Sequence, residues 1–89
     1  MQRVLCRCVN LSPSGARLET KDPVPVRTNV LLHSTHFGRM GTASIRYCIR
    51  DGMKYHVGVQ FASAFELSDP ERRKILETVV LRWPVPRAI

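Results

Sequence analysis

Cysteine and histidine are the side chains of this 89-residue sequence that could hold a metal ion, and there are three of each. Cys6 and Cys8 form a Cys-x-Cys pair and His33 and His36 a His-x-x-His pair, which together could make a zinc site. Structural zinc sites usually use Cys-x-x-Cys spacing, because two intervening residues let the chain turn around the ion. In a strand, cysteines two residues apart share one face and act as small apolar side chains. We therefore expect no metal site and no cofactor.

Arginine dominates the charged residues. The chain has 14 Lys and Arg against 7 Asp and Glu, a net charge of +7, and residues 1–61 carry most of the excess. Arginine presents a planar fork that matches phosphate oxygens and the O6/N7 edge of guanine, whereas lysine acts as a point charge. This composition indicates a phosphate-bearing partner such as a nucleotide, a nucleic acid or an anionic surface. The alternative is that the arginines serve solubility alone.

Catalytic and membrane-spanning patterns are both missing from the sequence. The few histidines and carboxylates form no recognised nucleophile or paired-acid arrangement, and no glycine-rich phosphate loop runs into a helix. The longest uncharged stretch, Thr28 to Gly38, is too short to cross a bilayer, and the first residues do not resemble a signal peptide. We expect a cytoplasmic protein that is not an enzyme and has no membrane partner.

Alternation of apolar and polar residues predicts five strands, near residues 3–9, 16–20, 29–36, 43–50 and 53–61. The last two form a hairpin whose register depends on its loop. A shorter two-residue turn would mix apolar with polar positions, whereas a three-residue loop over residues 50–52 pairs Ile49 with Met53 and Tyr47 with Tyr55. That loop also puts a glycine at the left-handed position, so we predict the three-residue loop.

A helical period replaces the alternation near the C-terminus. Ser68 followed by Asp69-Pro70-Glu71 is typical of a helix start, with a capping hydroxyl, an early proline and acidic residues near the positive end of the helix dipole. The apolar stripe that follows has helical spacing and predicts a helix over about residues 69–83: Ile75, Leu76, Val79, Val80 and Trp83. The expected fold is mainly β, a small antiparallel barrel over residues 2–61 with one C-terminal α-helix, in a single domain of residues 1–89.

The segment Asn10-Leu11-Ser12-Pro13-Ser14-Gly15 carries more information than an ordinary turn. Asn10, Ser12 and Gly15 match the Asp/Asn-x-Ser-x-x-Gly signature of the PilZ domain family, position for position. Downstream, the run from Gly58 to Phe61 is similar to the Gly-Val-x-Phe strand that precedes the family's C-terminal helix. The chain therefore resembles the PilZ family over nearly all its length.

The resemblance implies a six-stranded antiparallel barrel that binds cyclic diguanylate, a bacterial second messenger. In the family, the Asn, Ser and Gly of this turn meet one guanine and its neighbouring phosphate. The implied ligand residues are Asn10, Ser12 and Gly15. Arg17, which leaves the turn along the next strand, is a candidate for the phosphate contacts.

Members of the family that bind the nucleotide also carry Arg-x-x-x-Arg upstream of the turn. Arg3 and Arg7 have this spacing, but they lie within the strand that enters the turn. We therefore expect the chain to lack the family's first strand and arginine loop. Arg3 and Arg7 complete the set of candidate ligand residues.

Three functions remain open from the sequence. The first is a module that senses cyclic diguanylate. The second is a degenerate adaptor that no longer binds the nucleotide and contacts a protein partner or a second copy of itself. A nucleic-acid-binding barrel is third and is not expected, because only six aromatic residues are available for base stacking and most of them lie in apolar patterns.

Overall fold

Six antiparallel strands close into a barrel in the computed structural model, which describes residues 2–64 and 67–85. The strands are β1 (Gln2–Leu11), β2 (Gly15–Thr20), β3 (Asn29–Ser34), β4 (Gly38–Asp51), β5 (Lys54–Phe61) and β6 (Val79–Trp83). A short helix, α1 (Asp69–Ile75), precedes β6. Around the barrel the strands follow the order β1-β2-β5-β4-β3-β6. The predicted mainly-β antiparallel barrel with one helix is confirmed for the described residues.

The interior of the barrel is filled by alternate residues of each strand. Leu18 on β2 and Val57 on β5 are register partners, and neither is exposed to solvent. Cys6 and Cys8 also face inward. Burial, reinforced by the neighbouring Cys8, raises the pKa of Cys6 to about 12, and burial raises the pKa of Cys8 to about 11. Both thiols are therefore protonated at neutral pH and pack as apolar groups.

The predicted C-terminal helix is correct at its start and wrong in its second half. Ser68 caps α1 with a complete capping box that includes Glu71, as expected. The helix then ends at Ile75, and Val79–Trp83 forms β6 between β1 and β3. Val79, Val80 and Leu81 are all buried, and a run of consecutive buried residues has no alternation by which to distinguish a strand from a helix. The barrel therefore extends beyond residues 2–61.

Closure of the barrel is the physical reason for β6. Without it, β1 and β3 would each leave a row of unpaired backbone N–H and C=O groups at an open sheet edge. Helix α1 spans only the connection between β5 and β6, where Ile75 joins the core and Arg72 donates a hydrogen bond to the Leu11 carbonyl. The helix thus covers the barrel near the end of β1.

The predicted three-residue loop of the β4–β5 hairpin is also wrong. Asp51 pairs with Lys54, so the turn consists of Gly52 and Met53. Gly52 does adopt the predicted left-handed conformation, with a φ of 64°. The register error follows from a β-bulge between Ile45 and Tyr47, because one extra residue reverses which later side chains of β4 face the core.

Candidate functional site

The turn from Asn10 to Gly15 joins β1 to β2 and is closed by its own serine. The Ser12 backbone N–H donates to the Gly15 carbonyl at 2.9 Å. The Gly15 N–H donates to the Ser12 Oγ at 3.3 Å, and this hydroxyl in turn lies 3.2 Å from the Gly15 carbonyl. Ser12 therefore holds the shape of the turn while its side chain stays exposed to solvent.

Gly15 is required because the turn lies directly against the backbone of β5. A Cβ atom at this position would lie 2.3 Å from the Val59 carbonyl oxygen, which is far shorter than a van der Waals contact. The Phe61 N–H also donates to the Ser14 carbonyl at 2.9 Å, which ties the turn to the end of β5. The glycine of the motif thus fixes the position of the turn on the barrel.

Four residues form a continuous row across the outside of the barrel, one from each of four adjacent strands. Asn10 on β1 is the register partner of Arg17 on β2, Arg17 is the partner of Gly58 on β5, and Gly58 is the partner of Tyr47 on β4. We call this set the ligand row. The ligand row is next to the turn that Ser12 closes, since Asn10 and Arg17 lie on the two strands that the turn joins.

Two β-bulges, one at each end of the ligand row, turn its outer members toward solvent. In β1 the even-numbered residues Cys6 and Cys8 face the core, and a bulge between Cys8 and Asn10 sends Asn10 outward instead. In β4 the bulge between Ile45 and Tyr47 does the same for Tyr47. Without these extra residues, strict alternation would place Asn10 and Tyr47 on the core side.

Tyr47 lies across Gly58. A Cβ on residue 58 would come within 2.0 Å of Tyr47 Cε2 and 2.5 Å of Cζ, so the ring occupies the space that any other residue would fill. Glycine inside a strand often marks such a close approach. The absence of a side chain at Gly58 therefore lets an aromatic ring lie flat against the barrel beside Arg17.

An open cavity of about 240 Å³ lies over the ligand row. It is lined by Asn10, Ser12, Gly15, Ala16, Arg17, Arg46, Tyr47, Gly58 and Val59. Pockets that hold a whole small molecule usually measure about 300–1,000 Å³, so this cavity fits one part of a larger ligand. A base with its attached phosphate is a group of suitable size and polarity.

Two arginines bring positive charge to this cavity. Arg46 reaches Gln60, with its Nε donating to Oε1 at 2.6 Å. The Arg17 side chain is exposed and makes no hydrogen bond or ion pair within the part of the chain that the structure describes. Its guanidinium is therefore available to an incoming anion or guanine edge.

The structure places the six predicted site residues in two groups. Asn10, Ser12, Gly15 and Arg17 come together at the cavity, while Arg3 and Arg7 do not line it. Both of these arginines are exposed on the outside of β1. Arg7 is opposite Glu19, and Arg3 is opposite Arg82 on the other side of the strand.

Arg7 faces Glu19 on β2 and does not line the cavity. The Glu19 carboxylate accepts a hydrogen bond from Lys54 Nζ at 3.0 Å. That bond, with the positive charges of Lys54 and Arg7, holds the pKa of Glu19 below its ordinary value. Arg7 therefore faces a carboxylate that is ionised at neutral pH, and its guanidinium is partly neutralised.

Sequence reasoning missed Arg46, Tyr47 and Gly58 as site residues. The alternation that pairs Tyr47 with Tyr55 puts Tyr47 on the same face as Ile45, because the bulge in β4 leaves no mark in the sequence pattern. Gly58 is the available signal, since an isolated glycine inside a strand pattern indicates a bulge or a close backbone approach.

A comparison with protein-family models identifies the chain. The PilZ domain model matches residues 2–81. The chain belongs to the PilZ domain family. PilZ domains are binding modules, and the ligand of the family is cyclic diguanylate. No curated protein and no solved structure is significantly similar to the chain.

The histidines and cysteines of this PilZ domain are dispersed. Across residues 2–64 and 67–85, no three His, Cys, Asp or Glu side chains are grouped so that they could hold a metal ion. His36 lies 3.1 Å from Glu77, and His56 lies 2.9 Å from Asp51. Within the same residues, no helix has the length and apolar character needed to cross a membrane.

Proposed function

We propose that this PilZ domain binds cyclic diguanylate at the cavity over the ligand row and acts as a cytoplasmic sensor of that nucleotide. The observation that carries the proposal is the ligand row itself. It brings Asn10, the unpartnered Arg17 and the ring of Tyr47 to one cavity beside the signature turn. A guanine nucleotide needs polar groups for its base edge, cations for its phosphate and a flat surface for its ring.

Each member of the site has a chemical role in this proposal. The Asn10 amide can both donate to and accept from the guanine edge. Arg17 can donate two parallel hydrogen bonds to a phosphate or to guanine O6 and N7. The Tyr47 ring provides a surface on which a base can stack, an interaction that contributes about 1–3 kcal/mol per base. Arg46 adds a second cation at the rim.

The experiment is a calorimetric titration of the 89-residue chain with cyclic diguanylate, cyclic diadenylate and GTP in parallel. We expect heat of binding with cyclic diguanylate and little or none with the other two. Absence of heat with cyclic diguanylate at about 100 µM, which is near the weak limit for a useful sensor, would refute the proposal.

Arg17→Ala is the decisive variant. A charge-assisted hydrogen bond contributes about 1.5–3 kcal/mol, and an exposed arginine lies at the lower end, so binding should weaken about tenfold or more. The melting temperature should not change, because Arg17 is exposed and has no partner among the described residues. Arg73→Ala removes an equally exposed arginine from α1 and is the matched control. Arg7→Ala and Arg3→Ala measure whether the other two predicted arginines contribute.

The second candidate function is an adaptor that has lost the nucleotide. The observation in its favour is that Arg3 and Arg7 lie away from the cavity, which leaves Arg17 and Arg46 as its cations within the described residues. If the titration shows no heat while the domain remains folded, the adaptor replaces the sensor. The partner is then a protein or a second copy of this chain.

A further inference from the structure

A second surface lies on the side of the barrel opposite the ligand row. In the closed strand order, β6 and β3 are opposite β2 and β5. Two neighbouring exterior rows cross β1, β6 and β3 there, and we call them together the basic face. The first row is Arg3, Arg82 and Leu31, and the second is Leu5, Val80 and His33.

The arginine pair of the basic face has no neutralising partner. Arg3 and Arg82 are directly opposite each other on antiparallel strands, and like charges in that arrangement repel. Neither makes an ion pair within residues 2–64 and 67–85. The pair would be stabilised by an anion placed between the two guanidinium groups.

The Arg82 side chain gives a second indication that a hydrogen-bond acceptor is missing from this face. Its Nε–H is buried and has no hydrogen-bond partner in the described structure. A buried donor without an acceptor is unfavourable, because it has lost water and gained nothing in exchange. A carboxylate that accepted from the Nη–H groups of Arg82 would lie beside Arg3, and a rotation of the Arg82 side chain toward this carboxylate would also satisfy Nε–H.

The other residues of the basic face indicate what kind of molecule brings that anion. None of the six is acidic, His33 carries the one aromatic ring among them, and Leu5 is 64% exposed in the row next to the Arg3–Arg82 pair. A nucleic acid would have only the half-buried His33 ring on which to stack and would leave Leu5 uncovered. Arginine is enriched in protein–protein interfaces, and a protein partner could also cover the exposed Leu5 with an apolar side chain of its own.

We propose that the basic face binds an acidic segment of a partner protein. A carboxylate of that segment bridges Arg82 and Arg3, and an aliphatic side chain covers Leu5. Val80 forms the floor, since it lies outside the core cluster but is only 3% exposed. Because the two surfaces share only β1, where Arg3 and Asn10 lie near opposite ends of the strand, nucleotide and partner can be bound at the same time.

The test uses the nitrogen-15-labelled 89-residue chain and a short synthetic peptide of glutamate, aspartate and leucine. The Arg82 Nε–H is a direct reporter, because it is buried and exchanges slowly with water. We expect the peptide to shift this resonance together with the backbone amides of β6. A matched peptide with glutamine and asparagine in place of the acids, and one with serine in place of leucine, should bind at least tenfold more weakly.

Arg3→Glu separates binding from folding. It replaces the like-charge pair by an opposite-charge pair across β1 and β6, so the melting temperature should rise or stay the same. Peptide binding should nevertheless weaken more than tenfold. Arg73→Glu makes the same change in charge on α1 and should alter peptide affinity less than twofold. Arg17→Ala should bind the peptide as the parent does, which distinguishes this proposal from that for the nucleotide.

Several results would overturn the proposal. One is the absence of a shift at the Arg82 Nε–H with the acidic peptide at about 1 mM. Another is an equal affinity for the peptide without acids. If a single-stranded oligonucleotide or inorganic phosphate shifts the Arg82 resonance as strongly as the peptide, the face is a general phosphate site and the assignment to a protein partner is wrong.

Discussion

Gly58→Ala tests the central feature of the ligand row, the close contact between Tyr47 and the backbone of β5. The new methyl group would lie 2.0 Å from Tyr47 Cε2, whereas ordinary contacts begin at 3.4 Å, so the ring must move by about 1.4 Å. The ring cannot move inward, because the barrel lies beneath it. It must therefore lift away from the sheet and leave its place beside Arg17.

Two opposing effects set the size of the change in stability. Adding a methyl group where no space exists costs about 1–3 kcal/mol. Replacing a strand glycine by alanine raises the free energy of unfolding by about 0.5–1 kcal/mol, because the unfolded chain loses conformational freedom. We expect a net loss of about 1–2 kcal/mol, which lowers the melting temperature of a domain of this size by roughly 4–16 °C. In a Tyr47→Ala background the clash is absent, and Gly58→Ala should be neutral or slightly stabilising.

The assay is a double-mutant cycle measured by urea unfolding of the parent, the two single variants and the double variant. The coupling free energy between positions 47 and 58 should exceed about 1 kcal/mol with Tyr47→Ala, whereas a cycle with Tyr47→Phe, which keeps the ring and therefore the clash, should give a coupling close to zero. Nucleotide affinity should fall with Gly58→Ala as it does with Tyr47→Ala. If Gly58→Ala changes stability equally in the presence and absence of the tyrosine, the ring does not lie over Gly58 and the ligand row is wrong.

Two further substitutions test the turn and the helix start. Gly15→Ala puts a methyl group 2.3 Å from the Val59 carbonyl, which belongs to the backbone and cannot rotate away, so its urea midpoint should fall further than that of Gly58→Ala; an unchanged midpoint would contradict the placement of the turn. Ser68→Ala removes the cap of α1 and should lower the melting temperature by a few degrees. The Ser68 side-chain and backbone hydrogen bonds lower the pKa of Glu71 below its ordinary value of 4.5, so their stabilisation is present above that pH and lost as Glu71 is protonated in acid. The difference between the parent and Ser68→Ala melting temperatures should therefore shrink as the pH falls below about 4.5, without vanishing, because the Glu71 N–H still donates to Ser68 Oγ in the parent. A constant difference would show that the Glu71 carboxylate is not involved.

Local chemistry made part of the fold and site predictable. The Asn10–Gly15 turn was visible because asparagine, serine, proline and glycine favour turns for reasons contained in those few residues. The beginning of α1 was visible for the same reason, since Ser68 and Glu71 form a capping box at a fixed spacing. Alternation located the five strands before residue 62, although β4 begins at Gly38, five residues before its predicted start.

The prediction of secondary structure was wrong where the local sequence suits a helix and a strand equally well. Val79, Val80 and Leu81 are apolar in succession and suit a buried helix as well as a strand. Residues 79–83 form a strand because β1 and β3, which are distant from them in sequence, need a neighbouring strand to pair their backbone groups.

The sequence by itself determined the residue types of the site: an asparagine, a serine and a glycine at turn spacing, and an arginine after them. Only the tertiary structure decided which other residues join them. The bulges that turn Asn10 and Tyr47 outward depend on the pairing of β1 with β2 and of β4 with β5, and they leave no periodic trace along the chain. Arg3 and Arg7 show the converse, because they share a face and a motif-like spacing but pair with different neighbours. Spacing along one strand specifies a face, whereas register between strands specifies the neighbours, and a binding site is made of neighbours.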